Sequence, residues 1–520
     1  MKGLFGKDRV CGVVAADTAR VMKSQVRLGL RRTRTLELRL DYLRSAKERE
    51  ALLSWLRRER PRAVFIATCR RQEGGGLFQG SRKEQMEILA LAARSGCGWC
   101  DVEIETAKRI DRGELARALF PARVMVSQHD FRKTPRNLAG IVRRLERTGG
   151  HAIKIAAHCH SVSDSVRVCN ISHGRRDVVA IPMGEFGLAG RVLSVRMGSA
   201  LAYAAVELAT APGQLSLDVM ADLYRAARIT RRTRLYGVIG DPIRHSLSPL
   251  LHNTGFRLRN FDAVFVPFLV RNLREFLGAM KGFGVVGLSV TIPHKETILR
   301  SLDDCDPLAA RIGAVNTVVV RGGGRLYGYN TDYVGVLRSL EQRLRLAGSR
   351  VLLLGAGGAA RAAAFALAQA GSIVCICARR PERARALARA VGGQVAARAD
   401  LAHEFFDAIV NCTPIGMHPH SGSPLESAEL NCRIVMDMVY RPRETELLRL
   451  ARRKGIEIIS GVEMFLAQGF AQYEIWTGER APESAMRHAV VSALGREEKI
   501  QGTPLVTVGA GNRREIHDPA

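Results

Sequence analysis

Long apolar runs are missing from this chain. No stretch reaches the ~18 uncharged residues that span a bilayer, and the opening Met1-Lys2-Gly3-Leu4-Phe5-Gly6-Lys7 carries no apolar segment long enough for a secretory signal. Aromatic residues are scarce at 6%, too few for a surface on which nucleobases stack. Acidic residues are in deficit, 50 against 79 basic ones, a net charge of +29. The excess arginine is spread over the whole length. Its densest clusters, Arg31-Arg32-Thr33-Arg34 and Arg231-Arg232-Thr233-Arg234, are short and lack interleaved aromatics. This pattern describes a solvated surface that mildly steers anionic substrates, so nucleic acid is not the expected partner, and neither is a membrane. The eleven cysteines are odd in number and irregularly spaced, which argues against a disulfide framework and for reduced thiols in the cytoplasm. Cys97-Gly98-Trp99-Cys100 and His158-Cys159-His160 are not spaced to give four convergent ligands, so no metal is expected.

What is present is an ordinary globular balance, 47% hydrophobic and 25% charged over 520 residues, with length for two to four domains at roughly 150 residues each. Over the first 228 residues short β-branched runs alternate with helical stretches. The runs are Val10–Ala15, Leu36–Leu40, Ala63–Thr68, Trp99–Glu105, Val124–Ser127, Ala152–Ala156, Val178–Pro182 and Val192–Val195. Eight such units predict a closed (β/α)8 barrel with its chemistry at the strand C-terminal ends. After an Arg-rich boundary near Ile229–Arg234 the rhythm restarts. Strands are expected at Tyr236–Gly240, Phe261–Val266 and Val285–Val290, then at Arg350–Leu354, Ile373–Cys377, Ala408–Asn411 and Ile434–Val439. This reads as a two-lobed α/β unit: a substrate lobe over 235–335, and a Rossmann dinucleotide domain over 336–496 whose last helix returns to the substrate lobe. The tail, 497–520, mixes Gly, Pro and charge without periodicity and reads as disordered.

Lys154 lies in the otherwise apolar strand Ala152-Ile153-Lys154-Ile155-Ala156. It is either a strand-end lysine that snorkels or a Schiff-base lysine whose neutral amine attacks a ketone. His129, at the end of the fifth run, suits general acid/base work, since its pKa lies near working pH. In the second half Gly355-Ala356-Gly357-Gly358-Ala359 follows a strand and opens a helix, the context in which glycines let a pyrophosphate approach a helix N-terminus. The next strand ends in Cys377-Ala378-Arg379-Arg380-Pro381-Glu382-Arg383. Cations there, in place of an acid, favour a 2′-phosphate and so NADP(H).

The ordered segments Leu36-Glu37-Leu38-Arg39-Leu40-Asp41, Thr68-Cys69-Arg70, Asp101-Val102-Glu103, Ser127-Gln128-His129-Asp130-Phe131, Lys154, Pro182-Met183-Gly184-Glu185-Phe186-Gly187 and Ala211-Pro212-Gly213-Gln214 resemble type I 3-dehydroquinate dehydratase. The resemblance implies an imine at Lys154 and proton transfer by His129. It implies a carboxylate clamp at Arg191, and Glu37, Arg39, Arg70, Thr210 and Gln214 around the ring. Three positions depart from the family pattern, one of them Thr210, which keeps the hydroxyl of the family's Ser. Gly74 stands where an acid is usual, with Glu73 one place early, and Gly190 stands where Ser is common. The shift at Glu73 leaves open which group orients His129.

The segments Gly240-Asp241-Pro242-Ile243-Arg244-His245-Ser246-Leu247-Ser248-Pro249, Thr291-Ile292-Pro293-His294-Lys295, Gly313-Ala314-Val315-Asn316-Thr317, Gly328-Tyr329-Asn330-Thr331-Asp332, Asn411-Cys412-Thr413-Pro414, Asp437-Met438-Val439-Tyr440 and Gly461-Val462-Glu463-Met464 with Gln468 are similar to shikimate dehydrogenase. The implied catalytic pair is Lys295 with Asp332. Ser246 and Ser248 would take the substrate carboxylate, and Thr291, Asn316, Tyr440 and Gln468 the rest of the substrate. Gly355, Ala356, Gly357, Gly358, Ala359, Arg379, Arg380, Arg383, Thr413, Gly461 and Met464 would line the NADP(H) site. Ser289 stands where many relatives have Asn, and His294 is expected to be structural. Together the resemblances imply two consecutive steps. 3-Dehydroquinate would become 3-dehydroshikimate, and this would be reduced to shikimate. The alternatives are a dehydratase fused to an oxidative quinate/shikimate dehydrogenase, and an anion- or nucleic-acid-binding protein with decayed sites. The sequence leaves oligomeric state open.

Overall fold

The computed structural model describes residues 4–5, 8–417 and 419–502. Eight parallel strands come first: β1 (Val10–Val14), β2 (Thr35–Arg39), β3 (Val64–Thr68), β4 (Trp99–Glu103), β5 (Arg123–Asp130), β6 (Ala152–His158), β7 (Val178–Met183) and β8 (Ala202–Ala205). They hydrogen-bond in the order β7-β6-β5-β4-β3-β2-β1-β8. The barrel is nearly closed: β7 and β8 end the order, and Ala200, just before β8, donates its N–H to Val178 O at 2.8 Å.

Side-chain alternation divides each strand between two environments. Leu36, Leu38, Val102, Val124, Val126, Ile153 and Ile155 face the helix layer. Trp99, Met125, Ala152, Ala156, Val179 and Tyr203 form a separate buried cluster, the barrel interior. Glu37, Arg39, Asp101, His129 and Lys154 fall on the same alternate positions as that interior set.

One expected strand is a helix. Val192–Val195 belongs to the helix Leu188–Met197, and the eighth strand is Ala202–Ala205. The helix is buried on nearly every side, Ala189 through Val195 included, so it shows no amphipathic period. Its β-branched run therefore imitates a strand. The real strand, Ala-Tyr-Ala-Ala, has no β-branched residue to announce it.

A second sheet follows: β9 (Arg234–Gly240), β10 (Ala263–Leu269), β11 (Val285–Val290), β12 (Asp304–Cys305), β13 (Thr317–Val320) and β14 (Leu326–Tyr329). Its order is β10-β9-β11-β13-β14-β12, with β11 and β13 antiparallel through Ser289 opposite Thr317. The third sheet holds β15 (Arg350–Leu354), β16 (Ile373–Cys377), β17 (Gln394–Val395), β18 (Phe406–Asn411), β19 (Cys432–Asp437) and β20 (Glu457–Ile459). It is all-parallel in the order β17-β16-β15-β18-β19-β20, the doubly wound arrangement whose crevice opens between β15 and β18.

The chain divides into two compact units. One holds residues up to Thr331 together with Ala471–Ala481, the other Asp332–Phe470 and the chain from Pro482. Within the first unit the barrel and the second sheet share one core. Val166, Val192, Leu193 and Met197 lie in a single cluster with Leu235, Val264, Phe268, Phe276 and Phe283. Arg196 adds hydrogen bonds to the carbonyls of Thr233 at 2.9 Å and Phe283 at 2.6 Å. The helix Glu483–Gly502 runs into the segment expected to be disordered from 497, and residues 503–520 lie outside the described ones. Among the described residues no helix is long and apolar enough to cross a membrane.

Candidate active sites

The barrel interior gathers its charges around Lys154. The ammonium Nζ lies 2.9 Å from Glu37 Oε1 and 3.0 Å from Asp101 Oδ2, and 4.2 Å from the centre of the Tyr203 ring. Thr68 Oγ1 donates to the same Glu37 oxygen at 2.8 Å. Arg70 joins Asp101 Oδ2 at 3.0 Å, and Ser127 donates to the other Asp101 oxygen. All six charged or hydroxyl-bearing partners of this cluster are buried. Burial opposes ionisation of Asp101, but Lys154 and Arg70 outweigh it and hold the carboxyl well below the usual range. Asp101 is thus central to the cluster. As a carboxylate in an apolar strand it was open to detection by the same argument that singled out Lys154.

Arg70 Nη1 lies 2.8 Å from His129 Nδ1. A guanidinium only donates, so Nδ1 accepts and the ring proton sits on Nε2. Burial, and then the Arg70 and Lys154 charges, push the His129 pKa well below its ordinary value. Arg39 is engaged elsewhere, in a two-point bond to Asp41 at 3.0 and 2.8 Å.

Arg191 sits on the helix Leu188–Met197. It is buried, and its Nη2 donates to Pro212 O at 2.7 Å. No carboxylate among the described residues pairs with it, its Nε has no partner, and burial lowers its pKa to about 10. The loop that supplies Pro212 also carries Thr210, whose N and Oγ1 donate to Gln214 Oε1 at 2.7 and 3.2 Å. Arg191, Thr210 and Gln214 therefore come together on one loop-and-helix corner.

In the second sheet the expected substrate residues collect at one edge. Ser246 and Ser248 follow β9, and Ser248 N donates to Ser246 Oγ at 3.3 Å. Thr291 follows β11, with its N donating to Ile239 O at 3.0 Å. Asn316 immediately precedes β13, and because β13 runs antiparallel to β11 it reaches the same edge: Val290 N donates to Asn316 O at 2.7 Å. Lys295 lies on the turn after β11, where its carbonyl accepts from Val315 N at 2.8 Å. His294 is buried and bonds Val270 O at 2.7 Å through Nε2.

The second unit holds Asp332, Tyr440, Gln468 and the residues expected at the nucleotide site. Asp332 is buried and opens the helix Asp332–Glu341. Gly355 ends β15 at φ +107, a conformation that favours glycine. Gly357 occupies the N-cap of the helix Gly358–Gln369 without a side-chain cap, and a Cβ placed on it meets nothing within 4 Å. The first-turn N–H groups, Gly358 and Ala359 among them, have no intrahelical partner. Arg379, Arg380 and Arg383 are exposed after β16, and no ion pair among the described residues engages them.

Thr413 is placed by a relay that sequence reasoning missed. Asn411 Oδ1 accepts from Thr413 N and Oγ1 at 2.9 and 2.7 Å, while Asn411 Nδ2 donates to Asp437 Oδ1 at 2.9 Å. Burial raises the Asp437 pKa to about 6. Met464 lies against Gly335, and Gly461 packs so closely on the carbonyls of Asp437 and Val439 that a Cβ there would come within 2.7 and 2.5 Å of them. Tyr440 stacks on Phe465 at 4.5 Å.

The two halves of the chain match known proteins in order and extent. A family model for type I 3-dehydroquinase matches residues 10–231, and one for the shikimate dehydrogenase substrate binding domain matches 238–318. Models for an NADP oxidoreductase and for the shikimate 5′-dehydrogenase C-terminal domain match 350–441 and 461–491. The chloroplastic bifunctional 3-dehydroquinate dehydratase/shikimate dehydrogenase of Arabidopsis thaliana is 37% identical over 434 residues, 79% of this chain and 72% of that protein. The chain belongs to the bifunctional 3-dehydroquinate dehydratase/shikimate dehydrogenase family. Its second half is also 43% identical over 283 residues to the NADP(+) shikimate dehydrogenase of Methanothermobacter thermautotrophicus, covering 52% of this chain and all of that protein. A crystal structure of the Thermus thermophilus shikimate 5-dehydrogenase with NADP(H) and shikimate is 36% identical, covering 50% of this chain and 99% of that one, at a TM-score of 0.47.

Within this bifunctional family the chain's departures have structural answers. Glu73 is turned outward, 3.5 Å from Arg71 and 3.9 Å from Arg82, so it does not orient His129; Arg70 does. A Cβ at Gly74 would fall 2.0 Å from Glu103 Oε1, so the Glu103 carboxylate fills the space of the missing side chain. A Cβ at Gly190 would fall 2.2 Å from Ser165 Oγ, a buried hydroxyl without a partner. Ser165 thus occupies the place a serine at 190 would need.

Proposed function

We propose that the barrel dehydrates 3-dehydroquinate through an imine on Lys154, and that the second half reduces the resulting 3-dehydroshikimate to shikimate with NADPH. The observation that carries the first step is a buried amine between two carboxylates, in the same barrel as a buried guanidinium with no carboxylate of its own. Lys154 must lose a proton before its amine can attack the ketone, and Glu37 and Asp101 are at hydrogen-bond distance to accept it. Loss of water then gives the iminium, which draws off electrons when the neighbouring C–H proton leaves. His129 takes that proton and returns one to the departing hydroxyl. Its Nδ1 lone pair faces Arg70, so proton removal requires Arg70 to turn from the imidazole to the substrate. Arg191 takes the substrate carboxylate, the partner its burial lacks. Glu37, Arg39, Thr210 and Gln214 hold the ring.

For the second step, the uncapped helix at Gly357–Ala359 and the unpaired Arg379 and Arg380 fit a pyrophosphate and a 2′-phosphate. NADPH, when bound, supplies the hydride. Lys295 protonates the developing alkoxide, with Asp332 the second member of the catalytic pair. Ser246 and Ser248 receive the carboxylate. Thr291, Asn316, Tyr440 and Gln468 bind the rest of the substrate, and Arg383, Thr413, Gly461 and Met464 complete the nucleotide site. The eleven free thiols support a place in the reducing cytoplasm.

A coupled assay tests the reading. Purified protein given 3-dehydroquinate and NADPH should consume nicotinamide absorbance. Borohydride added with 3-dehydroquinate should leave a covalent adduct on Lys154 and none on the Lys154→Ala protein. An adduct at another residue, or none in active enzyme, refutes the imine.

A further inference from the structure

Gln472 lies in the segment Ala471–Ala481, which packs in the same unit as the second sheet. Its side chain is fully buried. Nε2 lies 3.1 Å from Ser289 Oγ, 3.0 Å from the Asn316 carbonyl and 3.0 Å from Thr317 Oγ1. A carboxamide nitrogen carries two hydrogens, so two protons are shared among three buried acceptors. The consequences run on to the Asn316 side chain. Thr317 Oγ1, accepting from Gln472, donates its own single proton to Asn316 Oδ1 at 2.7 Å. The same Oδ1 accepts from Thr331 N at 2.8 Å, and Asn316 Nδ2 donates to Thr331 Oγ1 at 3.0 Å. The Asn316 amide is therefore held in one of its two flip orientations by the Thr331 N–H, and a donor chain that starts at Gln472 supports the same orientation through Thr317.

Behind Gln472 the packing is apolar. His252 stacks on Phe265 at 4.5 Å and meets Trp476 edge-on at 5.0 Å. Gln472 Oε1 and both His252 ring nitrogens have no partner at hydrogen-bond distance. The amide end that faces this cage thus gains little there, and the donor end carries the anchoring.

We propose that Gln472 is a positioning residue of the dehydrogenase site. It fixes Ser289, Asn316 and Thr317 as one hydrogen-bonded set, and so holds the Asn316 carboxamide in place for the ring hydroxyls of the substrate. This rests on the role given above to Asn316. Gln472 touches three acceptors of the protein and acts through them.

The test uses the full chain with shikimate and NADP+, following formation of NADPH. Wild-type turnover comes first; its absence overturns the functional reading and this proposal with it. Given turnover, Gln472→Ala leaves three buried acceptors short of donors. It should raise KM for shikimate by about ten- to a hundredfold, leave KM for NADP+ within about twofold, and leave dehydration of 3-dehydroquinate unchanged. The dehydratase barrel shares the folded unit of Gln472, so its activity reports any general damage. Gln472→Glu gives a second reading. Its carboxylate cannot donate, so at alkaline pH it should match Gln472→Ala; protonated at lower pH it regains a donor, and KM for shikimate should fall toward the wild-type value. The proposal is overturned if KM for shikimate in Gln472→Ala stays within about twofold of wild type, if both activities fall in parallel, or if Gln472→Glu shows no recovery with acid.

Discussion

At the scale of single residues, burial decides which protonation state each group brings to the chemistry. His129 is desolvated and faces two cations, so its pKa lies well below the ordinary imidazole value. The neutral base then persists on the acid side of pH 6.5. We expect kcat/KM for dehydration to hold as pH falls through 6.5 and to decline only below it, and His129→Ala to lose about 10²–10⁴ in rate. An acid limb assigned to His129 at or above 6.5 would contradict the geometry.

His252 carries the same logic into stability. Burial lowers its pKa to about 3. The unfolded chain binds this proton below about 6.5 and the folded one only near 3. Between these values the unfolded state holds more protons, so stability rises with pH and is fully present above 6.5. The slope from this group is about 1.4 kcal/mol per pH unit. Replacing it by His252→Phe should flatten the pH dependence of the unfolding free energy from urea titrations between pH 4 and 6 by about that slope.

Elements show where local pattern and burial disagree. The strand runs Val10–Val14, Val64–Thr68 and Val285–Val290 are legible because β-branched runs bounded by turns leave one reading. The helix Leu188–Met197 is not legible, because a second layer covers the face that would otherwise be polar. The helix Gly358–Gln369 and the Arg379-Arg380 corner are legible from glycine spacing and charge. They also carry a prediction. Arg379→Ala should weaken NADPH by about ten- to a hundredfold, the loss of a charge-assisted contact, and NADH much less, since only NADPH bears the 2′-phosphate. Equal loss of both cofactors would assign Arg379 another task.

For the whole molecule, chemistry and stability are partitioned differently. The two lysines are far apart in the chain and have separate surroundings. Lys154→Ala should abolish dehydration and spare reduction of 3-dehydroshikimate; Lys295→Ala should do the reverse and let 3-dehydroshikimate accumulate. Stability follows the shared core instead. Phe276 belongs to the second sheet's layer yet clusters with Val166 and Val192 of the barrel. Its truncation, Phe276→Ala, should cost about 3–5 kcal/mol and lower the thermal midpoint measured through dehydratase activity. A normal midpoint would show that the barrel is stable without its neighbour.

The sequence alone determined the βα rhythm, the glycine turn after β15, the two candidate lysines and the order of motifs around them. Each is carried by local spacing or by a charged residue set in an apolar strand. Only the tertiary structure decided which groups meet. Asp101 becomes the shared partner of Lys154, Arg70 and Ser127 because neighbouring strands set its height in the barrel. Arg70, and not Glu73, takes the Nδ1 of His129, because Glu73 is turned outward to Arg71 and Arg82. Gln472 reaches Asn316 across 156 positions of chain. Local pattern records what a residue is next to along the backbone; desolvation and hydrogen-bond partners depend on which strands and helices close around it.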